Sequence, residues 1–154
     1  MTFVVDEGSY FEAPVDRVWA FVSSGPVHGD AHRHDAQERT LETARVGRYS
    51  WTQRFDGRPT RFTMRWHAFP PLGIAYEVLE GPFEGSTFFL YYTPEGERTG
   101  VTVAGEFASP TLPAREIEPA VRRFFALEFE QDTDALRAFV TPPERARSSS
   151  AGRP

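Results

Sequence analysis

Short apolar strands alternate with turn-forming residues through the middle of the chain, and this alternation limits the fold more than any other feature of the sequence. The turn signals are Val46-Gly47-Arg48, Asp56-Gly57-Arg58-Pro59, Pro70-Pro71-Leu72-Gly73, Gly81-Pro82 and Glu95-Gly96-Glu97. Strands joined by such short turns pair with their sequence neighbours in the antiparallel sense. We therefore predict an antiparallel meander with strands over about Glu38–Val46, Tyr49–Phe55, Arg61–Phe69, Ile74–Glu80, Ser86–Thr93 and Gly100–Phe107.

The segment before the meander predicts one strand followed by two short helices. Phe3–Phe11 has the pattern of a strand, and Pro14 suits the first turn of a helix. The apolar face of that helix carries Val15, Val18, Trp19 and Val22. A second, poorly patterned helical piece contains His28, His32 and His34 and leads into the meander.

Period-two alternation divides the side chains of the meander between two faces of the sheet. The face predicted to be concave carries Tyr49, Trp51, Gln53, Phe55, Phe62, Met64, Trp66, Ile74, Tyr76 and Val78. The opposite face carries Arg48, Arg54, Arg61, Arg65, His67 and Glu77. This second set is typical of a solvated surface with cross-strand ion pairs, to which Glu77 and nearby carboxylates would contribute, and we expect His67 to be exposed.

The last predicted helix, from about Glu118 to Val140, carries two carboxylates on its apolar face. That face is formed by Val121, Phe124, Phe125, Phe129, Ala135, Leu136, Phe139 and Val140. At about 100° per residue, Glu128 and Asp132 lie inside the same arc and one turn apart. Burial of ionised carboxylates costs several kcal/mol unless a cation or hydrogen-bond donors meet them, although a rotated helix would leave one of them at the edge. We therefore predict that both border an internal cavity.

Composition excludes several kinds of chemistry. The chain of 154 residues contains no cysteine, so disulfides, thiolate metal sites and cysteine nucleophiles are excluded. Its basic residues are all arginine, which excludes a lysine Schiff base. A net charge of −5 argues against nucleic acid and acidic membranes as partners, and the N-terminal sequence contains no targeting segment, so we expect a cytoplasmic protein. We predict one domain over residues 1–140 and a disordered tail over residues 141–154.

The order of these elements, with the helix entry Ala13-Pro14-Val15-Asp16-Arg17-Val18-Trp19, resembles the START-like, or SRPBCC, helix-grip superfamily. The resemblance covers about Thr2 to Val140. It implies an α+β helix-grip fold, in which an antiparallel sheet wraps around the long C-terminal helix and leaves a cavity between them. Members of the superfamily include polyketide aromatase/cyclases, carriers of lipids and hormones, and the catalytic domains of ring-hydroxylating oxygenases.

The histidine cluster has two alternative chemical interpretations. In the first, a histidine and Glu128 exchange protons with the substrate and no cofactor is required. In the second, His28, His32 and His34 bind zinc or non-heme iron, and Asp132 or Glu128 completes the site. The segment Gly29-Asp30-Ala31-His32 resembles the iron-binding stretch of the oxygenases, whose third ligand lies on the final helix. A solvated loop whose histidines bind nothing is the alternative to both.

We therefore predict a protein that binds a hydrophobic or aromatic small molecule. The expected activity, implied by the resemblance, is that of a polyketide cyclase or aromatase, with an acyl carrier protein as a candidate partner. A metal-dependent enzyme and a non-catalytic carrier are the alternatives. The candidate catalytic residues are His28, His32, His34, Glu128 and Asp132, and the candidate ligand contacts are Tyr49, Trp51, Phe62, Met64, Trp66, Tyr76, Phe125 and Phe129.

Overall fold

The computed structural model of the protein describes residues 1–140, and the tail predicted over residues 141–154 lies outside them. Strand β1 (Thr2–Phe11) is followed by the short helices α1 (Val15–Val22) and α2 (Pro26–Ala31). The remaining elements are β2 (Asp35–Thr43), β3 (Val46–Phe55), β4 (Arg58–Phe69), β5 (Gly73–Glu80), β6 (Thr87–Glu95), β7 (Arg98–Phe107) and the helix α3 (Ala114–Val140). This order of elements is the one predicted.

The strands form a seven-stranded antiparallel sheet in the order β1-β7-β6-β5-β4-β3-β2. From β2 to β7 each strand pairs with the next, so the predicted meander is confirmed. The first strand adds to the far side of β7, with Thr2 opposite Phe107. Helix α3 packs across the sheet, and this arrangement confirms the α+β helix-grip fold.

The turn predicted at Val46-Gly47-Arg48 is wrong. The β2–β3 turn is formed by Ala44 and Arg45, and Gly47 lies within β3 opposite Trp66. A Cβ atom on Gly47 would lie 2.6 Å from the Trp66 ring and 2.6 Å from the Thr40 carbonyl oxygen. Glycine is therefore placed here because an indole and a neighbouring backbone approach closely, and not because the chain turns.

The turn at Asp56-Gly57 is confirmed, with both residues at positive φ, as a tight type I′ hairpin requires. Pro59, which the sequence pattern assigned to this turn, lies within β4, at the end that pairs only with β3. Proline is tolerated at such a position because the sheet does not need its missing N–H.

Helix α3 begins at Ala114, four residues earlier than the predicted start, and continues through Pro119. Its buried residues are Ile117, Ala120, Val121, Phe124 and Leu136. Phe139, predicted on the apolar face, is 42% exposed, although its ring packs on that of Phe21. No helix among residues 1–140 is long and apolar enough to cross a membrane.

The outer face of the sheet carries paired arginines. Arg48 and Arg65 both contact the Glu42 carboxylate, at 3.4 and 3.0 Å, and Arg61 lies 3.0 Å from Glu38. The carboxylates in direct contact come from β2 and are the predicted nearby carboxylates, whereas the predicted Glu77 lies opposite Arg65 on β5 without a direct ion pair among residues 1–140. The arginines Arg48, Arg61 and Arg65 are thus paired with carboxylates, and His67 is exposed on this face, as predicted.

Candidate functional site

A cavity of about 620 Å³ lies between the concave face of the sheet and α3. Most of its wall is apolar or aromatic, and the chain's three tryptophans, Trp19, Trp51 and Trp66, all line it. Cavities of about 300–1,000 Å³ with apolar walls and a few polar groups are typical small-molecule sites.

Seven of the eight predicted ligand contacts line this cavity: Tyr49, Trp51, Met64, Trp66, Tyr76, Phe125 and Phe129. The eighth, Phe62, is 0% exposed and does not line it. Its ring stacks behind Trp51, at 5.2 Å between centroids, and against Phe124 at 5.8 Å. Parity correctly assigns Phe62 to the concave face, but α3 covers that part of the face.

All five predicted catalytic residues come together in the cavity wall. Helix α2 and its C-terminal residue carry His28 and His32, which are four residues apart and therefore share one face. Helix α3 carries Glu128 and Asp132 with the same spacing. On the opposite side, Gly29 lets α2 lie close to the sheet, because a Cβ atom there would meet the Gln37 amide and would lie 2.7 Å from the Tyr49 hydroxyl.

The imidazole of His32 bridges the two carboxylates of α3. Its Nδ1 lies 2.9 Å from Glu128 Oε2 and 2.9 Å from Gln131 Oε1, and its Nε2 lies 2.8 Å from Asp132 Oδ1. His28 Nε2 lies 2.9 Å from the same Asp132 oxygen and 3.1 Å from His32 Nε2. Each carboxylate predicted on the apolar stripe thus has a histidine partner.

The pKa values in this cluster are strongly displaced. Burial alone would lower the pKa of His32, but hydrogen bonds to Asp132 and Glu128 and their negative charges outweigh burial and raise it to about 11. Burial would raise the pKa of Asp132, but hydrogen bonds from His28 and His32 lower it to about 2. The metal-free cluster therefore holds a buried imidazolium between carboxylates.

His34 forms a second, neutral branch of the site. Burial lowers its pKa to about 3, and the positive charges of His32 and His28 act in the same direction. Its Nδ1 lies 2.7 Å from the Tyr49 hydroxyl, its ring stacks on Trp51 at 4.6 Å, and its buried Nε2 has no hydrogen-bond partner among residues 1–140. Burial likewise raises the pKa of Tyr49 to about 12, so this phenol keeps its proton.

Among residues 1–140, two sets of side chains have the donor atoms and spacing to hold a metal ion. One consists of His28, His32 and Asp132, and the other of His32, His34 and Glu128. His32 belongs to both. The four metal ligands predicted from the sequence, His28, His32, His34 and Asp132, are therefore divided between the two sets.

Glutamines complete the cluster, and sequence reasoning assigned them no role. Gln53 accepts a hydrogen bond from the Trp51 indole at 2.6 Å and donates one to Glu128 at 3.2 Å. Gln37 accepts a hydrogen bond from the Tyr49 hydroxyl at 3.0 Å. The position of Gln53 on the predicted concave face was the available signal, because a polar residue among aromatic ones requires a partner.

Comparison with known proteins identifies the family. Residues 2–141 match the family model described as polyketide cyclase / dehydrase and lipid transport. The chain belongs to this family. No curated protein matches the sequence closely enough to count as a relative.

Solved structures similar to this family member share its fold at low sequence identity. A protein of Thermus thermophilus is 17% identical, with a TM-score of 0.69 over 91% of this chain and 100% of that one. The Zhui aromatase/cyclase of Streptomyces sp. R1128 is 18% identical, with a TM-score of 0.67 over 89% and 93%. A START superfamily protein of Mycobacterium smegmatis is 11% identical, with a TM-score of 0.69 over 88% and 97%. The shared fold, together with the family match over residues 2–141, confirms the predicted START-like, helix-grip assignment.

Proposed function

We propose that the protein binds a flat or elongated apolar molecule with a few oxygen atoms and promotes its dehydration or ring closure by proton transfer. The observation that carries this proposal is the histidine–carboxylate cluster in the wall of an otherwise apolar cavity. The description of the family, which includes cyclases and dehydrases, supports the reaction type.

The cavity wall supports the class of ligand. Stacked pairs such as Tyr76 and Phe88, with ring centroids 5.0 Å apart, offer flat faces to a flat molecule. Apolar burial would supply most of the affinity, at about 25 cal/mol per Å². Polar groups concentrated on the side of α2 and α3 would fix the orientation of the substrate oxygens.

The cluster supports proton transfer through a division of roles. His28 is the more accessible histidine, with its side chain 25% exposed, and it lines the cavity. In the metal-free site we assign the proton exchange with substrate to His28. Asp132 holds that imidazole, and His32, fixed between two carboxylates, keeps Asp132 in place. A positioned acid or base of this kind contributes about 10²- to 10⁴-fold to a rate.

Tryptophan fluorescence tests the ligand class directly, because every tryptophan of the chain lines the cavity. Hydroxylated anthraquinones and short linear poly-β-ketones should change the emission at saturation, whereas a sugar, a nucleotide and an amino acid should not. Trp66→Ala should weaken binding by about 1–3 kcal/mol through the lost ring contact. His67→Ala, on the outer face of the same strand, should leave affinity unchanged and is the matched control. A preference for the polar compounds would refute the proposal.

The reaction itself is tested with a short linear poly-β-ketone, whose near-ultraviolet absorption rises when it dehydrates and aromatises. The protein should accelerate this change over the spontaneous rate, and His28→Gln should remove about 10²-fold or more of the acceleration. The His67→Gln control should retain it. Tight binding of the poly-β-ketone without acceleration of its dehydration would refute the enzymatic part of the proposal and favour a non-catalytic carrier. We still predict that an acyl carrier protein presents the substrate.

A further inference from the structure

We propose that His28, His32 and Asp132 form a binding site for one divalent transition-metal ion of the six-coordinate type, best matched by Fe²⁺. The ion would occupy the position between the three side chains and leave its remaining coordination sites open to the cavity. The metal would lie in the wall of the cavity to which the proposed function assigns an organic ligand. Metal binding does not depend on that ligand, so an experiment can refute either proposal without the other.

Three possible donor atoms lie close to one another. The Asp132 Oδ1 atom lies 2.9 Å from His28 Nε2 and 2.8 Å from His32 Nε2, and the two nitrogens lie 3.1 Å apart. Each ring nitrogen carries at most one hydrogen, and each hydrogen points at one acceptor at a time. At most two of these three contacts can therefore be hydrogen bonds. One cation facing all three atoms would satisfy the lone pairs of all three.

The donor spacing indicates the coordination geometry. For metal–ligand bonds of about 2.1 Å, adjacent ligands lie about 3.0 Å apart in an octahedron and about 3.4 Å apart in a tetrahedron. The observed distances of 2.8, 2.9 and 3.1 Å match one face of an octahedron. Two histidines and one carboxylate on one face, with open positions opposite, are the ligand set typical of Fe²⁺, whereas Zn²⁺ prefers the wider tetrahedral spacing.

The surroundings of His32 suit a metal ligand. Its Nδ1 hydrogen can be donated to Glu128 Oε2 or Gln131 Oε1, both at 2.9 Å. A hydrogen bond from that nitrogen to a carboxylate fixes the tautomer with Nε2 free for the metal and orients the ring. Glu128 therefore acts as a positioning residue, one helical turn from the ligand Asp132.

The site is open to the cavity on one side and is carried by α2 and α3 on the other. His28, His32 and Asp132 all belong to the cavity wall, and the side chains of His28 and Asp132 are 25% and 16% exposed. His28 lies in α2, His32 caps the C-terminal end of that helix, and Asp132 lies inside the long helix α3. A small oxygen ligand entering the cavity would therefore reach the ion without rearrangement of the fold.

The experiment uses tag-free, full-length protein stripped with a chelator, because a histidine tag would itself bind metal. Fe²⁺ under anaerobic conditions, Co²⁺ and Zn²⁺ are titrated separately and followed by calorimetry. Bound metal is counted by elemental analysis after desalting. We expect one Fe²⁺ or Co²⁺ per chain, and the Co²⁺ form should give the weak pink absorption of a six-coordinate ion. An intense blue, tetrahedral Co²⁺ spectrum would overturn the proposed geometry.

The variants assign the ligands. His28→Gln, His32→Gln and Asp132→Asn should each weaken metal binding more than about 100-fold, and Glu128→Gln should weaken it about 10- to 100-fold. His67→Gln, on the outer face of the sheet, is the control that should bind as the unmodified protein does, and His34→Gln tests the second set of candidate ligands. Unchanged circular dichroism of the apo variants shows that the fold is retained. Absence of stoichiometric binding overturns the proposal, as does binding that survives His28→Gln but is lost in His34→Gln. Fluorescence titration with the anthraquinone in chelator tests the ligand proposal independently of the metal.

Discussion

The raised pKa of His32 predicts that the metal-free protein loses stability in mildly alkaline solution. The folded-state pKa is about 11 against an ordinary value of 6.5, so the folded protein keeps a proton that the unfolded chain releases. The stabilisation is therefore complete below pH 6.5 and is lost as the pH rises toward about 11. Between pH 7.5 and pH 9.5 nearly one proton separates the two states, and the free energy of unfolding should fall by about 2–3 kcal/mol.

Few other side chains of this sequence change protonation in the window between pH 7.5 and pH 9.5. The chain has no cysteine and no lysine, whose thiol and amine would otherwise titrate in or near it. The pKa of Tyr49 is raised to about 12, and burial raises those of Tyr76 and Tyr92 as well, so these phenols lie above the window. His34, whose pKa is lowered to about 3, lies below it.

The assay is urea unfolding in a chelating buffer at pH 7.5 and pH 9.5, with the midpoint and slope both fitted. His32→Gln should abolish most of the pH dependence, whereas His67→Gln should keep it. Should His32→Gln fail to fold, Glu128→Gln offers a milder variant, which removes one of the two carboxylates and should reduce the dependence. A wild-type protein as stable at pH 9.5 as at pH 7.5 would show that His32 is not a cation in the folded state, and the reasoning would be refuted.

Two further predictions concern the acid limb and the sheet. Because burial lowers the folded pKa of His34 to about 3, stability should fall as the pH drops through 6.5, by about 2 kcal/mol at pH 5. His34→Phe, which preserves the stack on Trp51, should remove this loss in urea titrations, and an unchanged acid limb would contradict it. Gly47→Ala should cost about 1–3 kcal/mol in thermal unfolding and shift the tryptophan emission through Trp66. The control Gly100→Ala, whose added Cβ would have its nearest neighbour at 3.4 Å, should cost less, and equal losses would remove the close-contact explanation.

The sequence predicted the fold because its signals are local and agree with each other. Turn residues such as Asp56-Gly57 fix a hairpin on their own, and period-two alternation sets which face each strand buries. The error at Gly47 has a physical origin, because glycine was given its common local role as a turn former. Its actual position depends on a close approach to the ring of Trp66, which no local window of the sequence contains.

The sequence indicated which residues line the candidate site, but not which of them contact each other. The helical angles of Glu128 and Asp132 are a property of α3 alone, so their place in the cavity wall could be inferred. That one imidazole, His32, bridges both carboxylates depends on where α2 lies against α3. The short helix α2 has little pattern of its own, so the sequence left its docking open. The exclusion of Phe62 from the cavity likewise depends on how far α3 covers the sheet.

If the cluster serves function and not folding, apolar side chains should be able to replace it without loss of stability. Replacing a buried ion pair with well-packed apolar residues is often neutral or stabilising by about 1–4 kcal/mol, whereas removing one partner costs about 3–5 kcal/mol. We therefore expect the single variant Asp132→Leu, which leaves the buried His32 cation without one of its carboxylates, to be strongly destabilised. The quadruple variant His28→Leu, His32→Leu, Glu128→Leu and Asp132→Leu should recover most of that loss in urea unfolding. It should still bind apolar dyes but neither accelerate the reaction nor hold metal. A quadruple variant less stable than Asp132→Leu would show instead that the fold itself requires the cluster, and the two carboxylates on the apolar stripe of α3 would then be structural.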